Sequence, residues 1–161
     1  MAARKSNPSV APDAVALLKA DHKQVKGWFQ EFKGARSPKK KKNLATNICN
    51  ALTVHTVIEE EIFYPAFLDA TRDKDMHHEA LIEHDGAKKL IAEIQASDPS
   101  DEYYGSKVHV LSEMIKHHVK EEEQKQGMFA EAKSARRMDL KELGRRMFDR
   151  KKELMAEIET L

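Results

Sequence analysis

Two histidine–glutamate pairs stand where a helical core calls for apolar residues. The stripe Leu44, Ile48, Leu52 has its next places at residues 55, 59 and 62, and only Ile62 is apolar; His55 and Glu59 hold the other two. The stripe Val108, Leu111, Ile115 runs the same way into His118 and Glu122. Within each pair the two residues lie one helical turn apart on one face. His22, between Leu18 and Val25, and His84, between Leu81 and Ala87, interrupt two further stripes. A lone histidine in such a place is ordinarily a hydrogen-bonded core residue. A carboxylate in an apolar core costs on the order of several kcal/mol unless it is paired, protonated or coordinated. Imidazoles and carboxylates together are the donor set of a first-row metal, and coordination would remove the conflict.

The elements that must carry these residues follow from the hydrophobic period. Asp13 is placed to cap a helix over about Ala14 to Lys33, with Val15, Leu18, Val25, Phe29 and Phe32 inward. Ser37-Pro38 starts a second helix, expected to reach about Leu68 with a bend at Pro65. A third is expected from about Lys74 to Ala96, and a fourth from near Asp101 to the Gln124–Gly127 region. Met128 to Met138 is less regular. Asp139 and Glu142 make a capping-box-like start for a last helix with Leu140, Leu143, Met147, Leu154 and Ile158 on one face. Trp28, Phe29, Phe32, Phe63 and Met114 read as core, and Glu60, Glu61, Glu121 and Glu123 as a solvated acidic face.

The two halves echo each other. His22 to His55 is 33 residues and His84 to His118 is 34. An acid, Asp21 or Glu83, precedes the first histidine of each half. This is a duplicated helix pair, and two antiparallel pairs with short turns predict an all-α, up-down-up-down four-helix bundle with an extra C-terminal helix. Residues 1–12 read as a disordered tail, 13–132 as the bundle and 133–161 as a C-terminal amphipathic helix packed on or extending it. Helix midpoints meet at one level in such a bundle, so His22, His55, Glu59, His84, His118 and Glu122 converge. Four imidazoles and two carboxylates suit a pair of metals; a single zinc would leave two ligands over. His117 and, after a slip of one residue, Glu123 are the reserve ligands. His77 lies two turns from His84, roughly 10 Å along the axis, far enough to line an entrance instead.

Composition bounds the partners. A chain of 161 residues with 34% charged residues, six glycines and five prolines suits one helical domain with solvated outer faces. A formal charge of +1 argues against a general binder of nucleic acid. Lys39 to Lys42 is the strong basic cluster, read as a solvated turn with an anionic partner as the alternative. Cys49 alone allows no intrachain disulfide, and no apolar run approaches a membrane span, so a cytoplasmic protein without membrane or nucleic-acid partners is expected, a monomer or weak homo-oligomer.

With those residues in place, the chain resembles the hemerythrin-like, or HHE cation-binding, family. The matching pattern is His22, then His55-x-x-x-Glu59 followed by Glu60-x-x-Phe63-Tyr64-Pro65, then Glu83-His84-Asp85, then His117-His118-Val119-Lys120-Glu121-Glu122-Glu123. The resemblance implies a non-haem centre of two irons with an oxo or hydroxo bridge, spanned by Glu59 and Glu122, with His22, His55, His84 and His118 as terminal ligands. Oxygen-carrying members have a second histidine four residues before the third-helix one; here that residue is Ala80. An open iron position is implied, unless His77, His117, Glu123 or a tyrosine fills it. The expected function is binding, sensing or handling of a small diatomic molecule, a peroxide or a reactive oxygen or nitrogen species. The alternatives are a peroxide-removing or an iron-oxidising or iron-storing enzyme, and a helical interaction module without redox chemistry.

Overall fold

A computed structural model describes residues 11–159, and every regular element among them is helical. Helix α1 spans Ala14–Gly34, α2 Pro38–Ile58, α3 Tyr64–Thr71, α4 Lys74–Gln95, α5 Tyr104–Glu123, α6 Met128–Ser134 and α7 Leu140–Glu159. The tail expected over residues 1–12 lies outside the described residues except for its last two. The starts are capped as the sequence suggests. Asp13 accepts from Ala16 N–H at 2.8 Å, Ser37 from Lys40 N–H at 3.1 Å, and Asp139 from Glu142 N–H at 3.1 Å.

Helices α1, α2, α4 and α5 form the four-helix bundle, each packed on two of the others. Its core is split. Val25, Phe29, Ile48, Leu52, Ala87, Ile91, Val108 and Leu111 belong to one apolar cluster, and Leu18, Ile58, Phe63, Phe67, Ala80, Met128 and Phe129 to another. Along α1 the stripe changes cluster between Leu18 and Val25, at His22; along α4 it changes between Ala80 and Ala87, at His84. The interrupting residues therefore form a polar layer between two dry ones. Burial of each large apolar side chain in those layers contributes roughly 1.5–3 kcal/mol, which is what holds a costly polar layer in place.

Three features differ from the sequence expectation. The long second helix does not simply bend at Pro65. A π-turn, Glu59–Phe63, separates α2 from α3, and Tyr64 N–H donates to the Glu59 carbonyl five residues back. Pro65, lacking an N–H, then falls in the first turn of α3, where it is tolerated. The irregular stretch after α5 contains α6, whose Met128, Phe129 and Ala132 are buried in the second cluster. Trp28 and Met114 are only partly buried, at the edge of the first. Helix α7 packs on α1, α2 and the π-turn, outside the four-helix bundle, through buried Leu143 and Met147.

Candidate metal centre

The polar layer brings together all six expected residues. They fall into two groups of three, His22 with His55 and Glu122, and Glu59 with His84 and His118, with the donor atoms of each group within 4.8 Å of one another. Nε2 of His22 faces Nε2 of His55 at 3.2 Å, and Nε2 of His84 faces that of His118 at 3.2 Å. Each glutamate touches a histidine of both groups. Glu59 Oε1 lies 2.8 Å from His55 and 3.4 Å from His84; Glu122 Oε1 lies 3.4 Å from His22 and 3.3 Å from His118. Two carboxylates so placed could be shared between the two groups.

A ring of acids behind the histidines fixes which nitrogen faces inward. Nδ1 of His55 donates to Asp21 at 2.9 Å, Nδ1 of His84 to Glu60 at 3.0 Å, and Nδ1 of His118 to Glu83 at 2.8 Å. Nδ1 of His22 lies 3.4 Å from Glu123 without a hydrogen bond. Glu60, expected on a solvated face, is half-buried beside Glu59 and accepts from His84 of another helix, whereas Glu123 stays exposed as expected. Asp21 and Glu83 likewise serve the next helix rather than the histidine that follows them in sequence. With Nδ1 of His55, His84 and His118 holding a proton against a carboxylate, the Nε2 of each of these three presents a lone pair to the centre.

Acceptors facing acceptors in a buried layer require a cation or protons between them. Both oxygens of Glu59 and Oε1 of Glu122 are buried without a hydrogen bond. Proton affinities report the same crowding. Burial works against a charged His55, yet Glu59 and Asp21 outweigh it and push its pKa up to about 10. Burial opposes and Glu122 favours the charged form of His118, which is raised well above the ordinary value. Glu59 is held well below the usual carboxylate range: burial opposes its charge, but His55 and His84 prevail. The residues fit a pair of metal ions, which would replace those protons.

Tyr64 joins the site without having been singled out as a ligand. Its hydroxyl donates to Glu122 Oε2 at 3.1 Å and lies 3.1 Å from His84 Nε2 and 3.2 Å from His118 Nε2. In an α-helix the fifth residue after Glu59 would point about 140° away. The π-turn closes from that fifth residue and returns it to the inner side. The counterpart of Tyr64 in the second half, 63 residues on as Glu122 is from Glu59, is Gly127. There the His22 ring is covered by Phe129, stacked at 5.9 Å and 9°. The reserve candidates stay outside. His117 is exposed and pairs with Glu83 at 3.1 Å; His77 lies beside His78, Nδ1 to Nδ1 at 2.9 Å, and meets the Tyr64 ring edge-on, 6.3 Å between centroids. A cavity of about 150 Å³ reaches the four histidines past Leu52, Ala87, Ile91, Met114 and Val119.

The model of the hemerythrin HHE cation-binding domain matches residues 13–130. The chain belongs to that family. The HHE domain is similar over its length to a solved structure, the hemerythrin HHE cation-binding domain-containing protein that is the Rv2633c homolog of Mycobacterium kansasii. The TM-score is 0.75 at 21% identity, covering 91% of this chain and 89% of that one. It is also 29% identical over 107 residues to a DNA nickase of Nostoc sp. strain PCC 7120, a match over 66% of this chain and 30% of the nickase. The chain thus spans under a third of the nickase. As an HHE domain the protein binds cations, and the two histidine–glutamate groups are where its residues can do so. No helix among the described residues is long and apolar enough to cross a membrane.

Proposed function

We propose that the HHE domain holds two non-haem iron ions and uses them to bind, sense or handle oxygen or a reactive oxygen or nitrogen species in the cytoplasm. The observation that carries this reading is that Glu59 and Glu122 each reach a histidine of both groups. His22, His55 and Glu122 would hold one ion and Glu59, His84 and His118 the other, with both glutamates shared. Bound iron supplies the one-electron chemistry and an acidic coordination position. The chain's own residues set the rest. Asp21, Glu60 and Glu83 keep three histidines in the tautomer that offers Nε2. Tyr64 brings an oxygen to the His84–His118 side, and His84 shares α4 with Ala80, the place where a further histidine is missing. The cavity has room for a diatomic molecule or peroxide and a few waters, and its apolar walls exclude larger polar substrates.

Metal analysis of the reconstituted protein tests the centre: two irons per chain are expected, and fewer than one would refute it. Spectra of the reduced protein with and without oxygen separate a stable adduct from simple oxidation. Oxygen evolution with turnover on adding peroxide would instead assign a peroxide-removing enzyme.

A second reading has its own observation. Lys19, Lys23, Lys26 and Lys33 of α1 and Lys116 of α5 line a groove of about 400 Å³, and none of these lysines is ion-paired. Together with the similarity to a DNA nickase, this supports contact with a nucleic-acid strand. Mobility shifts of labelled DNA over a salt series test it, because phosphate contacts give a steep salt dependence. Unchanged mobility at low salt rejects it.

A further inference from the structure

Helix α7 lies beyond residues 13–130, the part matched by the family model, yet it reaches the ring of acids behind the histidines. Lys151 Nζ donates to Asp21 Oδ1, while Asp21 Oδ2 accepts from His55 Nδ1 at 2.9 Å. Asp21 is only 8% exposed, so the lysine is brought to a nearly buried carboxylate. Arg150, next to it, grips Glu61 in the π-turn at 2.8 and 3.2 Å. The approach depends on Gly144. A Cβ there would stand 2.2 Å from the Pro12 carbonyl oxygen and 2.7 Å from Ala14 N, backbone atoms that cannot yield. Gly144 meets α1 at its start, and seven residues on in α7 Lys151 meets Asp21, about two turns into α1. The two helices therefore run parallel, and the glycine contact sets the reach of the lysine.

We propose that Lys151 is a positioning residue of the metal centre, acting through Asp21 to set how strongly His55 donates. This rests on the di-iron reading above. A carboxylate on the outer N–H of a ligand histidine makes the imidazole a stronger donor. A lysine on the other carboxylate oxygen draws part of that charge away. The corresponding acid of the second half, Glu83, has no lysine; its second partner is exposed His117. Helix α7 thereby tunes the centre as well as covering the bundle.

The test is reductive titration of the iron-loaded full chain, with the rate of zinc loss to a chelator as a readout independent of redox. Lys151→Met leaves Asp21 its full charge on His55, so the midpoint potential moves down and zinc leaves more slowly. Asp21→Asn moves the potential up and speeds zinc loss about 10–100-fold, the usual effect of losing such a support. Lys151→Arg restores wild-type values, and Arg150→Met lowers the melting temperature while leaving the potential in place. A Lys151→Met protein that melts earlier at an unchanged potential and unchanged zinc loss would overturn the proposal. A wild type that takes up neither iron nor zinc would overturn the metal reading first, and this inference with it.

Discussion

The Tyr64 hydroxyl, at the end of the first helix pair, donates to the Glu122 carboxylate of the second at 3.1 Å. It is the only phenol in the polar layer among the described residues, and it breaks the two-fold likeness of the halves, since Gly127 stands at the matching place. Burial, with Glu122 and Glu59 nearby, holds its pKa well above the ordinary value, so the metal-free protein keeps the proton that makes this bond.

Tyr64→Phe removes that donor and leaves Glu122 Oε2 buried and unsatisfied. The metal-free variant should lose about 1–3 kcal/mol of stability in urea unfolding. The iron-loaded variant should keep two irons and lose visible absorption that the wild type shows. Equal visible spectra for both would show that the Tyr64 oxygen does not reach the iron.

Glu59→Ala leaves the buried imidazole of His55 without its nearest carboxylate and takes away a shared ligand. Metal content should fall below one ion per chain, and stability by about 3–5 kcal/mol, the range for a broken buried pair. His117→Ala, at an exposed residue, should retain both ions. Loss of metal in the His117 variant and its retention in the Glu59 variant would reverse the assignment.

Metal-free stability should peak in mild acid. His55 is raised to about 10, so its contribution is complete below the ordinary value of 6.5 and is lost as pH climbs towards 10. Asp21 and Glu59 are lowered, from ordinary values of 3.8 and 4.5, despite burial that favours their neutral forms; the partners that prevail are His55 and Lys151 for Asp21, and His55 and His84 for Glu59. Their contributions are present above those values and fade as pH falls. Melting temperatures in chelator should therefore be highest between about pH 4.5 and 6.5. A midpoint that rises steadily from pH 6.5 to 10 would contradict the pairing.

Gly127→Ala should destabilise the protein by about 1–3 kcal/mol, an overpacking cost. Its Cβ would stand 2.5 Å from the Glu121 carbonyl oxygen and 2.9 Å from that of Glu122, at the end of the helix that carries the Glu122 carboxylate. Thermal unfolding checks this, and a midpoint equal to wild type would show that the turn yields.

The sequence by itself determined the bundle and the level of its polar layer. Apolar stripes at helical spacing dictate which faces turn inward, and a histidine or glutamate in such a stripe has to be buried whatever the neighbours are. Duplication then fixes the number, one histidine per helix and one glutamate per pair. Only the tertiary structure decided what stands around those six. Asp21 adjoins His22 in sequence but serves His55, because successive helical residues point about 100° apart and the acid faces the next helix. Glu60 is drawn half out of the solvent for the same reason, to accept from His84, while Glu123 stays exposed. Tyr64 is five residues beyond Glu59, off any α-helical face, until the π-turn shifts the register. Lys151 is 130 residues from Asp21, a separation over which no local period carries information. Periodicity reports the face of one helix; which charges meet across faces is settled by how the helices pack.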